Sequence, residues 1–363
     1  MINPSIYSES KGNKLLGLEI IRFISAFSIL IWHYQYFFYL ADKPINFTLE
    51  NQPLYALFSL FYRYGDWGVK VFWCISGFIF FYKYRALIAD KMVGAKKFFI
   101  LRFSRLYPLH AVTLFLVLLL QFVYFSQHQD YFVYQNNDLP NFALQIFLAS
   151  DWFPLFGNSF NGPIWSISVE VLVYFLFFLT IKFFGKSALV PMVIILICIA
   201  ARSAKINYPL LECITFFYVG GLSAIAFQFL NGSRYKNMLF MLATVAVVLV
   251  PIAAYFANFY RHLYMFLFFY VPILLYFCAA KLNVHPTVQR LIEAAGNMTY
   301  SSYLIHFPIQ LLIVILFTYF DVTIPYYRVE FFTIYMAITL IVSYYVYRYF
   351  EMPAQSIIRT KYL

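Results

Sequence analysis

Apolar blocks of about 18 to 22 residues recur along the whole chain, separated by short polar or basic stretches. A block of that length is what a helix needs to cross about 30 Å of hydrocarbon. Barrel strands would be about ten residues long and would alternate polar with apolar. No such alternation is found, so the pattern predicts an all-α, polytopic integral membrane helix bundle. Composition agrees: 63% of residues are hydrophobic and 11% charged, with mean hydropathy +0.74, whereas soluble domains run near half apolar and a quarter charged. Spans are expected at roughly 18–39, 68–84, 106–125, 164–183, 187–203, 210–230, 237–257, 262–280, 297–319 and 331–349, about ten transmembrane helices in all. The block 141–157 is apolar but short and ends in Asp151, Trp152 and Pro154. It is read as a re-entrant or interfacial segment, because a full span there would invert the sidedness of Lys182, Lys186 and every later loop.

A net charge of +11 raises nucleic acid as a partner, but the distribution of the charge excludes it. Most of the 26 Lys and Arg residues, from Lys11, Lys14, Lys83 and Arg85 through Lys281, Arg348 and Arg359, fall in connections on one side of the proposed spans, and Arg261 is among the minority opposite. The charge therefore reads as topology, with both termini expected on the cytoplasmic side. Cys74, Cys198, Cys213 and Cys278 stand apart with no metal-ligand spacing, so single buried thiols and no metal are expected. The polar start and the long first block predict a retained anchor and no cleaved signal peptide. Residues 1–363 are expected to form one membrane domain with no appended soluble domain.

Ionisable side chains inside spans are costly, and each poses a functional question. Arg22 and His33 are eleven residues apart in the first span, which at 100° per residue sets them on one face about 16 Å apart along the axis. The pair reads either as an anion anchor below a reactive centre or as a snorkelling arginine and a satisfied core histidine. Arg102 and Arg105 lie at i, i+3 before the third span, with Lys96 and Lys97 nearby. They suit a phosphate cradle or simply anchor topology. In GPIWSISVE, residues 162–170, Trp165, Ser166, Ser168 and Glu170 bring polar groups into an apolar helix. Ser166 and Glu170 share a face at i, i+4, and the carboxylate needs a partner such as His33 or an arginine, whether for chemistry or as a buried ion pair. Gly77 permits close helix approach. His306, in SSYLIHFPI with Tyr303 and Pro308, is either a site residue or a core histidine bonded to a backbone carbonyl. The 33 Tyr and 45 Phe residues are expected mainly on lipid-facing and interfacial surface.

These parts, in this order, resemble the acyltransferase-3 family of membrane acyltransferases, which includes bacterial O-antigen and other cell-surface polysaccharide O-acetyltransferases. The resemblance rests on Arg22-x10-His33, GVKVFWCISGF at 68–78, the Arg102 and Arg105 pair followed by LYPL, PIWSISVEVLVYFL at 163–176, SSYLIHFPI at 301–309 and RYFEMP at 348–353. It spans nearly the whole chain. LEIIR stands where D-G-L-R is more usual, and the hydrolase-like domain of longer members is expected to be missing.

The resemblance implies an acyl-coenzyme A donor, usually acetyl-CoA, used from the cytoplasm, and a hydroxyl acceptor on a glycan or glycolipid at the bacterial cytoplasmic (inner) membrane. It makes His33 the essential histidine and places Arg22, Arg102 and Arg105 in the donor-binding region. The expected mechanism has His33 take the acceptor proton, Glu170 orient the imidazole and Arg22 stabilise the oxyanion. Trp165, Ser166, Ser168, Tyr303 and His306 are expected to support the site. The donor is a substrate, and no bound cofactor is expected. The rival from another class is a transporter or flippase of a lipid-linked glycan, with the same ionisable groups as substrate or proton sites.

Overall fold

The computed structural model describes residues 15–40, 43–153, 157–258, 262–280, 282 and 284–363. Lys11, Lys14, Pro154, Arg261 and Lys281, used above to assign sidedness and the re-entrant segment, lie outside the described residues. The chain is almost wholly helical. Its first half contains α1 (Leu16–His33), α2 (Tyr55–Tyr64), α3 (Gly68–Ala89), α4 (Ala95–His128), α5 (Leu139–Ile146), α6 (Trp165–Phe184) and α7 (Leu189–Ser203). Its second half contains α8 (Pro209–Asn231), α9 (Lys236–Phe256), α10 (Leu263–Cys278), α11 (Pro286–Asn297), α12 (Thr299–Tyr319), α13 (Val329–Val346) and α14 (Met352–Tyr362). Among the described residues the strand content is one two-residue ladder, Tyr39–Leu40 against Lys43–Pro44.

Every expected span coincides with a helix. Among the described residues eight helical segments are long and apolar enough to cross a membrane, and α7 and α10 are shorter apolar helices between them. The largest departure is α4, which begins at Ala95 instead of 106. Hydropathy fades where Lys96, Lys97, Arg102 and Arg105 enter, but Lys and Arg are good helix formers whose stems tolerate an apolar wall. The ten-residue α2, too short to span, and the more polar α11 and α14 also escape a hydropathy window.

The block around 141–157 does not span. Asp138 caps α5 by accepting the Asn141 N–H at 2.9 Å, and eight residues reach only about 12 Å. The Gln145 carbonyl takes the His110 Nε2 proton at 2.7 Å, about midway along α4. Trp152 Nε1 and the Asp151 N–H bond to the Ser168 carbonyl and Oγ at 2.9 and 3.1 Å. The segment is thus fastened to two spanning helices as a short helix and turn, and these backbone groups find partners in protein.

Helices α3 and α8 pack in parallel through small residues, Lys70 meeting Glu212 near their starts and Gln228 meeting the Tyr82 carbonyl near their ends. A Cβ on Gly77 would lie 1.8 Å from the Phe217 carbonyl oxygen, and one on Gly220 would lie 1.9 Å from that of Cys74. Both obstacles are backbone, so neither can swing aside. We therefore expect Gly77→Val to lower stability by about 3 kcal/mol or more, seen as a large fall in the thermal midpoint of the purified protein; an unchanged midpoint would contradict this packing.

Aromatic residues do more than face lipid. Phe78, Phe81, Phe98, Phe177, Phe216 and Phe217 are fully buried between α3, α4, α6 and α8, and Tyr34 and Tyr335 are buried between α1 and α13. Lipid-facing surface is supplied instead by helices such as α9, where Met241, Leu242, Val248 and Leu249 are exposed.

Candidate active site

Two cavities enter the bundle from opposite ends. The first opens toward the end where α1 begins and is lined by Arg22, Ser76, Arg102, Arg105, Ser166, Glu170, Tyr174, Thr299, Tyr300 and Tyr303. Arg22 donates to Glu19 at 2.9 Å and to Thr299 Oγ1 at 3.3 Å, so it is held inside the bundle and does not snorkel out. Arg102 donates to the Tyr84 hydroxyl at 2.9 Å and lies over the Phe80 ring at 4.9 Å. Arg105 faces the cavity with the carboxylates of Glu351 and Glu19 as electrostatic partners.

The C-terminal segment braces this wall. A π-turn at Tyr347–Glu351 turns Glu351 inward, where it accepts from Ser301 Oγ at 2.7 Å and from Gln355 Nε2 at 3.0 Å. Arg359 on α14 then donates to Ser104 Oγ at 3.1 Å, between Arg102 and Arg105 on α4. A π-turn inserts one extra residue per turn and re-aims a side chain, a device concentrated at functional sites.

The second cavity opens at the other end and is lined by Trp32, His33, Tyr36, Asp66, Lys70, Tyr134, Asn158, Trp165 and Tyr303. His33 is buried, stacked on His306 at 4.8 Å and on Tyr36 at 4.6 Å, and its Nδ1 has no hydrogen-bond partner among the described residues. His306 bonds through Nδ1 to the Ser302 carbonyl at 3.2 Å. The core-histidine hydrogen bond is thus present, yet the ring also forms the floor under His33. Pro308 carries no N–H, which frees the Leu304 carbonyl, and Asn161 Nδ2 occupies that acceptor at 3.2 Å.

Val69 and Tyr303 line both cavities. The Tyr303 hydroxyl and Ser166 Oγ share a hydrogen bond of 2.7 Å, so a thin polar septum separates the chambers.

A family model described as an acyltransferase domain matches residues 15–348 of this chain. The chain belongs to the acyltransferase-3 family. No curated protein and no solved structure matches it. As an acyltransferase-3 protein with a bundle of spanning helices, it is an integral membrane acyltransferase.

Within this acyltransferase fold the expected residues separate into two groups. Arg22, Arg102, Arg105, Ser166 and Glu170 line the first cavity and His33 and Trp165 the second, with Tyr303 between them. Glu170 does not meet His33 by any hydrogen bond or ion pair among the described residues. Its Oε1 accepts from the Tyr174 hydroxyl at 2.7 Å, Ser76 also bonds to the carboxylate, and its charged neighbours are Arg105 and Arg22. Five residues along α6 from Trp165 is about 7.5 Å, which brings Glu170 level with Arg22 and away from His33. Ser168 faces Asp151 and Trp152 and lines neither cavity.

Sequence reading missed Asp66, Lys70, Tyr174, Ser76 and Glu351. Tyr174 stands four residues after Glu170 and was legible by helical spacing. Glu351 was quoted in RYFEMP without a role, because a π-turn cannot be seen in a hydropathy pattern. Among the described residues no cluster of His, Cys, Asp and Glu has metal-binding geometry.

Proposed function

We propose that this acyltransferase moves an acyl group, acetyl in the first instance, from cytoplasmic acyl-CoA to a hydroxyl of a cell-surface glycan or lipid-linked saccharide. In this reading it sits in a bacterial cytoplasmic membrane with both termini inside. The observation that carries the reading is the pair of cavities meeting at Tyr303. One is walled by three arginines, as an anionic donor requires, and the other holds a buried histidine with a free ring nitrogen.

The CoA phosphates would rest at the basic mouth on Arg102, Arg105 and the lysines that begin α4. The pantetheine arm, an extended chain, would rise past Arg22 and Glu170 and part the Ser166 and Tyr303 pair. The thioester carbonyl then faces His33. The acceptor hydroxyl oxygen attacks that carbon, its proton passes to the imidazole, the C–S bond breaks, and the proton returns to the departing CoA sulfur. With Glu170 in the donor chamber, its role becomes holding Arg22 and Arg105 in place, and His306 takes over the orientation of the His33 ring.

The reading is tested by incubating the purified protein in liposomes with radiolabelled acetyl-CoA and a surface-glycan extract. Alkali-labile label on the glycan is the expected result. No label with acetyl-CoA or longer acyl-CoA donors would overturn the reading and favour transport of a lipid-linked glycan.

A further inference from the structure

We infer that the His33 cavity is built for an electrically neutral saccharide ring and that Asp66 is the residue that reads it, an inference that rests on the acyl-transfer reading and extends it to the acceptor. Asp66 lies in the short turn Gly65–Trp67 between α2 and α3. A Cβ on Gly65 would meet the Ser28 carbonyl oxygen at 2.2 Å, and one on Gly68 would meet that of Ser25 at 2.7 Å. The two glycines therefore let this turn lie flat on α1, one to two helical turns before His33. That contact is what brings the Asp66 carboxylate into the cavity that His33 lines.

Among the described lining residues Asp66 is the one carboxylate and Lys70 the one ammonium. Lys70 is already engaged: its Nζ is 3.2 Å from Glu212 Oε2 and 4.1 Å above the Trp67 ring. Glu212 also holds Arg202 at 2.8 Å, and Arg202 lies 3.9 Å above Tyr264. Asp66 accepts from the Trp67 backbone N–H and has Lys70 as its favourable charged neighbour, but it forms no ion pair within 4.0 Å among the described residues, because the Lys70 Nζ is held by Glu212. The cavity thus offers an incoming ligand hydrogen-bond acceptors from Asp66 and no uncommitted positive charge.

A carboxylate accepts from two neighbouring hydroxyls at once, and such charge-assisted bonds are the stronger kind. The remaining wall is aromatic, with Trp32, Tyr36, Tyr134 and Trp165, and presents flat apolar faces with polar tips. Vicinal hydroxyls on one edge and C–H groups on the faces are the chemistry of a neutral sugar ring. A uronic acid or phosphorylated sugar would bring its own anion against Asp66 while the one ammonium on the wall, Lys70, is already held by Glu212, and like charges at contact are strongly disfavoured.

Binding is read by intrinsic tryptophan fluorescence of the full chain in liposomes, titrated with methyl hexopyranosides and with the matching methyl hexopyranosiduronates. The wild type is expected to bind the neutral glycosides at least about tenfold more tightly. Asp66→Asn should erase most of that preference by weakening the neutral ligand, Asp66→Glu should keep it, and acetyl-CoA binding in the other chamber should be unchanged in both. Equal or tighter binding of the uronides by the wild type, no saturable response to either ligand, or an undiminished preference in Asp66→Asn would overturn the proposal. If Asp66→Asn loses acetyl-CoA binding as well, the fold has been damaged, and the wild type and Asp66→Glu titrations decide. Neutral glycosides that bind in this pattern but are never acylated would sink the transfer reading and leave the site standing.

Discussion

His33→Ala is expected to transfer acyl groups about 1,000-fold more slowly than the wild type, within the range for removal of a positioned general base. The hydroxyl of a sugar is a poor nucleophile near neutral pH, and the buried imidazole of His33, at the floor of the second chamber beside the septum, is placed to accept its proton. Donor affinity should not move, because His33 lines the chamber opposite the arginines. The variant should also stay folded: the stacking on His306 and Tyr36 is lost, but the space opens onto an existing cavity and leaves no sealed void. Initial rates at saturating donor, with donor binding measured separately, check both halves. A variant retaining a tenth of the wild-type rate would remove His33 from the chemistry.

Arg105→Ala should act in the opposite sense, raising the donor KM by about 30- to 100-fold, as expected for losing a charge-assisted contact to a phosphate or thioester oxygen. The acceptor KM should hold. The size of the effect follows from the neighbours as much as from the donor, because Glu351 and Glu19 would be left facing the cavity with less positive charge to balance them. Arg105→Lys restores a point charge but not the forked geometry and should recover only part of the affinity. A normal donor KM in Arg105→Ala would take the arginine wall out of donor binding.

The spans were legible because each one is an apolar block, and hydrophobic thickness sets its length. The chemistry was legible only in part, for reasons that belong to particular residues. Arg22 and His33 do share a face of α1, as their spacing predicts, yet they open into different chambers, because Tyr303 from α12 and Val69 from α3 close the path between them. Helical arithmetic locates a side chain on its own helix and is blind to what another helix inserts. The pairing of Glu170 with His33 failed for the same reason: depth along α6 decides it, and Tyr174 and Ser76 take the carboxylate. Asp66 could not be singled out, since its importance comes from two glycines laying a turn against α1. Ser168, in contrast, draws attention because it is polar in an apolar helix, and it holds Asp151 and Trp152 of the segment that follows α5.

The most direct test of two chambers joined at Tyr303 is transfer across a sealed bilayer. Purified protein is reconstituted in one orientation, with radiolabelled acetyl-CoA confined to the side of the arginine-lined cavity and a neutral oligosaccharide confined to the other. The account predicts alkali-labile label on the oligosaccharide and free CoA on the donor side. Label that forms only when donor and acceptor share one side would contradict it.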